Sequence, residues 1–234
     1  MADQLFKKRQ GKRKERKSEN REMKPYRYLI VCEGEKTEPN YFEGFKEEIN
    51  SKYKDQVKIK KWEIDIEGTG RNTESLVEYA SELQRKSAVE FGNIWCVFDK
   101  DDFTDEQFNN AIEKCKKNDF KPAWSNKAIE LWFLLHFEYL NTAVERVSYI
   151  KKLNEYFKNF SVNNGKYEKN LKDIYKILKE YGNCKKAIVN AKKLNKTHPG
   201  NFTPSKMNPA TKVYELVEEL LDIINNIKNN LWMK

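Results

Sequence analysis

The chain has 234 residues, of which 38% are apolar, and its 45 Lys and Arg against 36 Asp and Glu leave a net charge of +9. That length suits one large domain, or one domain with an appendage, with a modest core beneath a heavily solvated surface. With no run of about 18 apolar residues and no apolar stretch behind the basic N-terminus, neither a membrane span nor a signal peptide is expected, and a cytoplasmic location follows. Cys32, Cys96, Cys115 and Cys184 are scattered without a C-x-x-C pair, and the chain has two histidines, His136 and His198. Zinc, disulfide and histidine-triad chemistry are therefore not expected.

Residues 1–27 carry a net charge of +7, leaving +2 for everything after them. The stretch KKRQGKRKERKSENREMK is too polar to fold alone, so residues 1–25 are expected to be a basic, disordered arm. It is either a solvated tail or an arm that adds salt-dependent phosphate contacts to a nucleic acid. YRYLIVCEG then reads as a strand buried on both faces. NYFEGFKEEI places Tyr41, Phe42 and Phe45 at helical spacing, and VKIKKWEIDIEG alternates as a second strand. A helix is predicted after GTGRNT through ESLVEYASELQRKSA, a third buried strand over NIWCVFDKDD, and a helix over TDEQFNNAIEKCKKN capped by Thr104 or Asp105. FKPAWSN reads as a short extended segment and AIELWFLLHF as an apolar helix.

This βαβαβαβα succession predicts an α/β domain over residues 26–138, a parallel sheet with helices on both faces. From about residue 139 the strand signals stop. Four helical patterns follow to residue 234 and are expected to pack on the first region; the last carries an apolar stripe from Val213 to Leu231. These amphipathic helices would also support a homodimer.

In open α/β sheets, sites form beyond the carboxyl ends of the parallel strands. Two of those ends are acidic: Glu33-Gly34 after the first strand, and Asp99-Lys100-Asp101-Asp102 after the third. If the two strands are neighbours, Glu33, Asp99 and Asp101 converge. Carboxylates packed this closely repel one another, and a divalent cation resolves the repulsion. Oxygen-only ligands at this density suit Mg²⁺ or Mn²⁺. An extended Asp-x-Asp would point both side chains the same way, at one ion.

Glu-Gly after one buried strand and Asp-x-Asp after a later one resembles the Toprim domain of topoisomerases, primases and OLD-type nucleases. The longer set CEGEKTEPNYFEGF, GTGRNTESLV, WCVFDKDD, SNKAIELWFLLHF and NPATKVYELV is similar to the RloB-like family, linked to restriction and phage-defence loci, over about residues 26–225. The resemblance implies a Toprim fold, divalent-metal phosphodiester chemistry and a defence role beside a partner ATPase. It also implies that Glu33 serves as general acid/base or metal ligand, and that Asp99 and Asp101 bind the metal. OLD-type nucleases carry a second glutamate four positions after the first; here the comparable Glu38 is five positions on. The family usually has proline after the SN pair, where this chain has Lys127.

Other candidates carry two readings each. Glu130 either complements the dipole of a helix start or ligates a second metal. Ser125 and Asn126 read most simply as a helix N-cap, and His136, on a different helix face from Glu130, as a packed residue. Gly68, Gly70 and Arg71 form a loop at a third strand end, where Arg71 would hold a phosphate, or where Asn72 or Thr73 simply caps the next helix. Lys36 either contacts phosphate or balances the acidic loop, while Tyr167, Lys169 and Lys206 would extend a nucleic-acid groove. The function expected from all this is a Mg²⁺- or Mn²⁺-dependent nuclease acting on DNA or RNA, tRNA included. The alternative is a non-catalytic regulatory subunit that binds nucleic acid or nucleotide within an ATPase complex.

Overall fold

The computed structural model describes residues 23–53, 63–70 and 72–228. Residues 1–22 of the expected basic arm, the first part of the second predicted strand, Arg71 and the last helical pattern beyond residue 228, with Leu231, lie outside the described residues. Residues 23–25, expected in the arm, instead open the first strand. Four parallel strands form the sheet: β1 (Met23–Cys32), β2 (Glu63–Gly68), β3 (Glu90–Asp99) and β4 (Lys121–Asn126). They lie in the order β2-β1-β3-β4, with a two-residue antiparallel strand, β5 (Ala210–Thr211), on the β4 edge. The chain is thus α/β, with helices on both faces of a mostly parallel sheet.

The near-continuous apolar runs of β1 and β3 follow from burial on both faces. Tyr28, Ile30 and Cys32 of β1 join Trp95 and Val97 of β3 in one core, while Leu29 and Val31 join Ile94, Cys96 and Phe98 in the other. Alternate residues of a strand point to opposite faces, so each strand feeds both cores. The second core is closed by α2 (Thr73–Lys86) and α3 (Asp105–Lys117), through Leu76, Val77, Phe108 and Ile112. Asn72 caps α2 by accepting from Ser75 N at 3.0 Å, and Thr104 caps α3 in a capping box with Gln107.

The first core is covered by α1 (Thr37–Tyr53), α4 (Glu130–Leu134), α5 (Arg146–Asn159), α6 (Ile174–Tyr181), α7 (Cys184–Lys196) and α8 (Val213–Lys228). Its apolar contacts run from Phe42 of α1 through Leu153, Leu178 and Leu220 of the later helices without interruption. Glu219 of α8 accepts from Trp95 Nε1 at 3.2 Å and pairs with Lys121 at 2.6 Å, pinning α8 to the sheet.

The structure corrects three expectations. Strand pairing does not stop at residue 139, because β5 joins β4 through the Ser125–Thr211 and Asn126–Ala210 register. Ser125 and Asn126 are consequently not an N-cap. The Ser125 hydroxyl meets Thr211 Oγ1 at 3.0 Å, and Asn126 Nδ2 donates to Ser205 O at 2.9 Å. The apolar segment AIELWFLLHF is helical only over Glu130–Leu134. Beyond it, the carbonyls of Leu135 and His136 accept from Asn190 and from Asn183 N, both at 3.0 Å, so donors outside the segment replace further helical turns. His136 is buried as expected; its Nδ1 hydrogen-bonds Trp132 O at 3.0 Å. Among the described residues no helix is long and apolar enough to cross a membrane.

Candidate active site

β1 leads to β2 on one side and lies against β3 on the other, so strand order reverses between β1 and β3. Crevices form at the carboxyl ends of strands flanking such a reversal. Glu33 follows β1 directly, and its Oε2 accepts from Asp99 N, the last residue of β3, at 3.0 Å. Asp99 Oδ2 in turn accepts from Ile129 N at 3.1 Å, capping the entry to α4. That entry sets the next residue, Glu130, inside the protein with no exposed side-chain surface. Glu38 lies in the first turn of α1, where Pro39 is tolerated because first-turn N–H groups have no helical partner. Its carboxyl group occupies the space beside Gly34, where a Cβ would come within 2.1 Å of Glu38 Oε2. Gly34 is required here by close approach rather than by backbone angle.

Asp101 reaches the same place by a route other than extended alternation. It sits in a turn after β3 with φ +34°, and its N–H bonds Lys127 O at 3.0 Å. Asp99, Asp101 and Glu130 then share a partner absent from the sequence reading, Arg146 at the start of α5. Arg146 Nη1 donates to Asp101 Oδ2 at 3.1 Å, and Nη2 donates to Glu130 Oε1 at 3.0 Å and lies 4.0 Å from Asp99 Oδ2. Tyr167 OH also donates to Glu130 Oε1, at 3.2 Å. Glu130 Oε2 and Arg146 Nε are buried without hydrogen-bond partners. One sequence signal does mark Arg146. A cation in the first turn of a helix opposes the helix dipole, and the first turn of α5 has no acidic residue to offset it.

The electrostatics follow from this crowding. Burial, with Glu38 and Asp101 nearby, pushes Glu33 up to about 7, against the Asp99 N–H bond and Arg146, which pull it down. Burial, then Glu38 and Glu130, holds Asp99 well above the usual carboxylate range. Burial also raises Glu38, with Glu130 adding to the effect. Burial disfavours the Arg146 charge, but Glu130 and Asp99 outweigh it and hold the guanidinium above its ordinary value.

Glu33, Glu38, Asp99 and Asp101 line a cleft of about 640 Å³ together with Lys36, Lys169 and Arg146, whereas Glu130 is fully buried and does not line it. Lys169 is fixed at the rim by its own backbone: its carbonyl accepts from Thr37 Oγ1 at 2.6 Å, while Asn170 O accepts from Asn40 Nδ2 at 3.1 Å. The β2–α2 loop closes another side, with Gly70 N bonded to Glu33 O at 2.8 Å and Gly70 itself at φ +61° against Glu35. Glu35 is exposed. Lys206 pairs with Asp105, which also meets Lys100, and does not line the cleft.

Among the described residues no three His, Cys, Asp or Glu side chains stand at metal-ligating spacing; the guanidinium of Arg146 holds the middle of the cluster. The chemistry of the donors nonetheless fits a hard divalent cation. Every candidate ligand is a carboxylate, three of them are raised by burial and mutual repulsion, and Glu130 keeps a buried oxygen with no partner.

The family model described as RloB-like protein matches residues 28–220. No curated protein and no solved structure matches the chain.

Proposed function

We propose that this chain, which belongs to the RloB-like protein family, is a divalent-metal-dependent nuclease with a Toprim-type site. The observation that carries the reading is the convergence of Glu33, Glu38, Asp99 and Asp101, from three separate segments, on one cation-rimmed cleft at the strand-order reversal, with the buried Glu130 joined to them through Arg146. Glu33, Asp99 and Asp101 would hold Mg²⁺ or Mn²⁺, with Glu38 and Glu130 completing its surroundings. Bound there, the ion supplies an activated water at neutral pH and a counter-charge for the phosphate.

The chain's own groups supply the rest. Lys36 and Lys169 at the rim bind flanking phosphates, which position a polynucleotide without reading its sequence. The Glu33 bond to Asp99 N and the Asp99 bond to Ile129 N fix both carboxylates on backbone rather than on mobile side chains. Preorganisation of this kind lowers the reorganisation needed during reaction. The basic residues 1–25 would add salt-dependent affinity, since an acidic cleft alone repels the substrate. We take DNA or RNA, tRNA included, as the substrate and anti-phage defence beside a partner ATPase as the setting; membership of the RloB-like family supports the defence context.

One observation favours a second reading. Arg146 already compensates Asp99, Asp101 and Glu130 in the protein alone, as a non-catalytic subunit binding nucleic acid or nucleotide would need. Incubation with Mg²⁺ or Mn²⁺ and a panel of single- and double-stranded DNA, RNA and tRNA separates the two. The nuclease reading expects scission that EDTA and Asp99→Ala abolish; scission surviving either refutes it. Thermal stabilisation by Mg²⁺ with no turnover on any substrate, and tight binding to the ATPase, selects the second.

A further inference from the structure

Arg146 opens α5 at a position where the helix dipole disfavours a cation, and its neighbouring N-cap residue, Glu145, makes no side-chain capping bond. Nothing about forming α5 calls for arginine there. Its guanidinium is instead spent on the cluster, where it meets three carboxylates from two segments with single contacts. The planar fork of arginine matches one carboxylate or phosphate through two parallel bonds. Here that match is unused: no carboxylate takes both Nη atoms, and Nε is buried without a partner. The side chain also lines the cleft, together with Glu33, Glu38 and Lys169. A divalent ion held by the same carboxylates would repel the guanidinium from its present place toward that cleft.

We propose that Arg146 stands in for the metal in the ion-free protein and, once the ion enters, turns to the cleft and binds a non-bridging oxygen of the phosphate being cut. Arg146 is then a further catalytic residue, contributing charge to the phosphate while the ion takes over the carboxylates. The phosphate half of this assignment rests on the nuclease reading; the exchange with the ion does not.

The test uses the full chain with Arg146→Ala and Arg146→Lys. Mn²⁺ affinity is measured by calorimetry without nucleic acid, and affinity for fluorescein-labelled single-stranded DNA and RNA oligonucleotides by anisotropy in Ca²⁺. Arg146→Ala is expected to bind Mn²⁺ no more weakly than wild type, and up to about tenfold more tightly, because a competing cation is gone. Its oligonucleotide affinity is expected to fall about tenfold with loss of a charge-assisted bond. Where wild type cuts a substrate, kcat is expected to fall on the order of 10²–10³-fold, with Arg146→Lys between the two.

Loss of Mn²⁺ binding in Arg146→Ala, or unchanged oligonucleotide affinity, overturns the assignment and leaves Arg146 as a pin between α5 and the sheet. Should Arg146→Ala fail to fold in EDTA, recovery of the native circular dichroism on adding Mn²⁺ supports the exchange, and failure to recover overturns it. A wild type that binds Mn²⁺ and oligonucleotide but cuts nothing defeats the nuclease reading alone, because both binding comparisons still decide the part played by Arg146.

Discussion

Replacing Asp99 by Asn should stabilise the ion-free protein, an unusual direction for a buried residue. Asn keeps an oxygen for Ile129 N–H, so the 3.1 Å cap at α4 survives. What it loses is the attraction to Arg146 Nη2 at 4.0 Å. Arg146 retains Glu130 and Asp101 and is not stranded. What the substitution removes is repulsion from Glu38, Glu130 and Glu33, the carboxylates that, after burial itself, hold Asp99 above its ordinary range. Glu38 and Glu130 each act on Asp99 more strongly than Arg146 does, and Glu33 less strongly. The balance favours the neutral side chain, by about 2 kcal/mol, within the range found when a buried charge gives way to a neutral group. For a chain of this size that raises Tm by about 4–8 °C. Thermal unfolding by circular dichroism in EDTA reads the effect directly. In saturating Mg²⁺ the order should reverse, because only wild type gains stability from the ion. If Asp99→Asn melts below wild type in EDTA, the cluster is not held together against its own repulsion, and the reasoning fails.

Two further outcomes follow from particular residues. Burial, despite its bond to Trp132 O, pushes His136 down to about 4 from an ordinary 6.5. Because the folded value is the lower one, the stability gained by keeping His136 neutral is complete above about pH 6.5 and drains away as pH falls toward 4, about 3 kcal/mol in all. His136→Phe should flatten the stability profile across that window, and an unchanged slope would refute the assignment. Gly34→Ala puts a Cβ where the Glu38 carboxyl group lies. Glu38 must swing away, so Mn²⁺ affinity should fall about as far as in Glu38→Ala, while overall stability changes by less than about 2 kcal/mol. Wild-type Mn²⁺ affinity in Gly34→Ala, beside a loss in Glu38→Ala, would show that Glu38 keeps its place.

Residues whose role depends on their own strand or helix were readable from the chain. Leu29–Cys32 and Ile94–Phe98 are apolar runs because both sheet faces are covered, and Glu33 and Asp99 are where such runs end in acid. Residues whose role depends on distant pairing were not. Ser125 looks like a cap until β5 arrives from residues 210–211 to pair with it. The short α4 looks longer until Asn183 and Asn190 take its carbonyls. Asp101 shares a partner with Asp99 through a left-handed turn, not through strand alternation. Arg146 enters the site only because α5 docks beside α4, which no local spacing reveals. Its one local mark is a cation at a helix start, a choice that local propensity argues against and that the cluster explains.

The carboxylate cluster as a metal centre is tested most directly by a Mn²⁺ titration of wild type. The titration would be followed in parallel by electron paramagnetic resonance for bound ion and by strand scission on the most susceptible polynucleotide of the panel. The two curves should rise together, and both should vanish in Asp99→Ala. Scission that runs ahead of ion uptake, survives EDTA or persists in Asp99→Ala would contradict the account, as would full ion uptake with no scission at all.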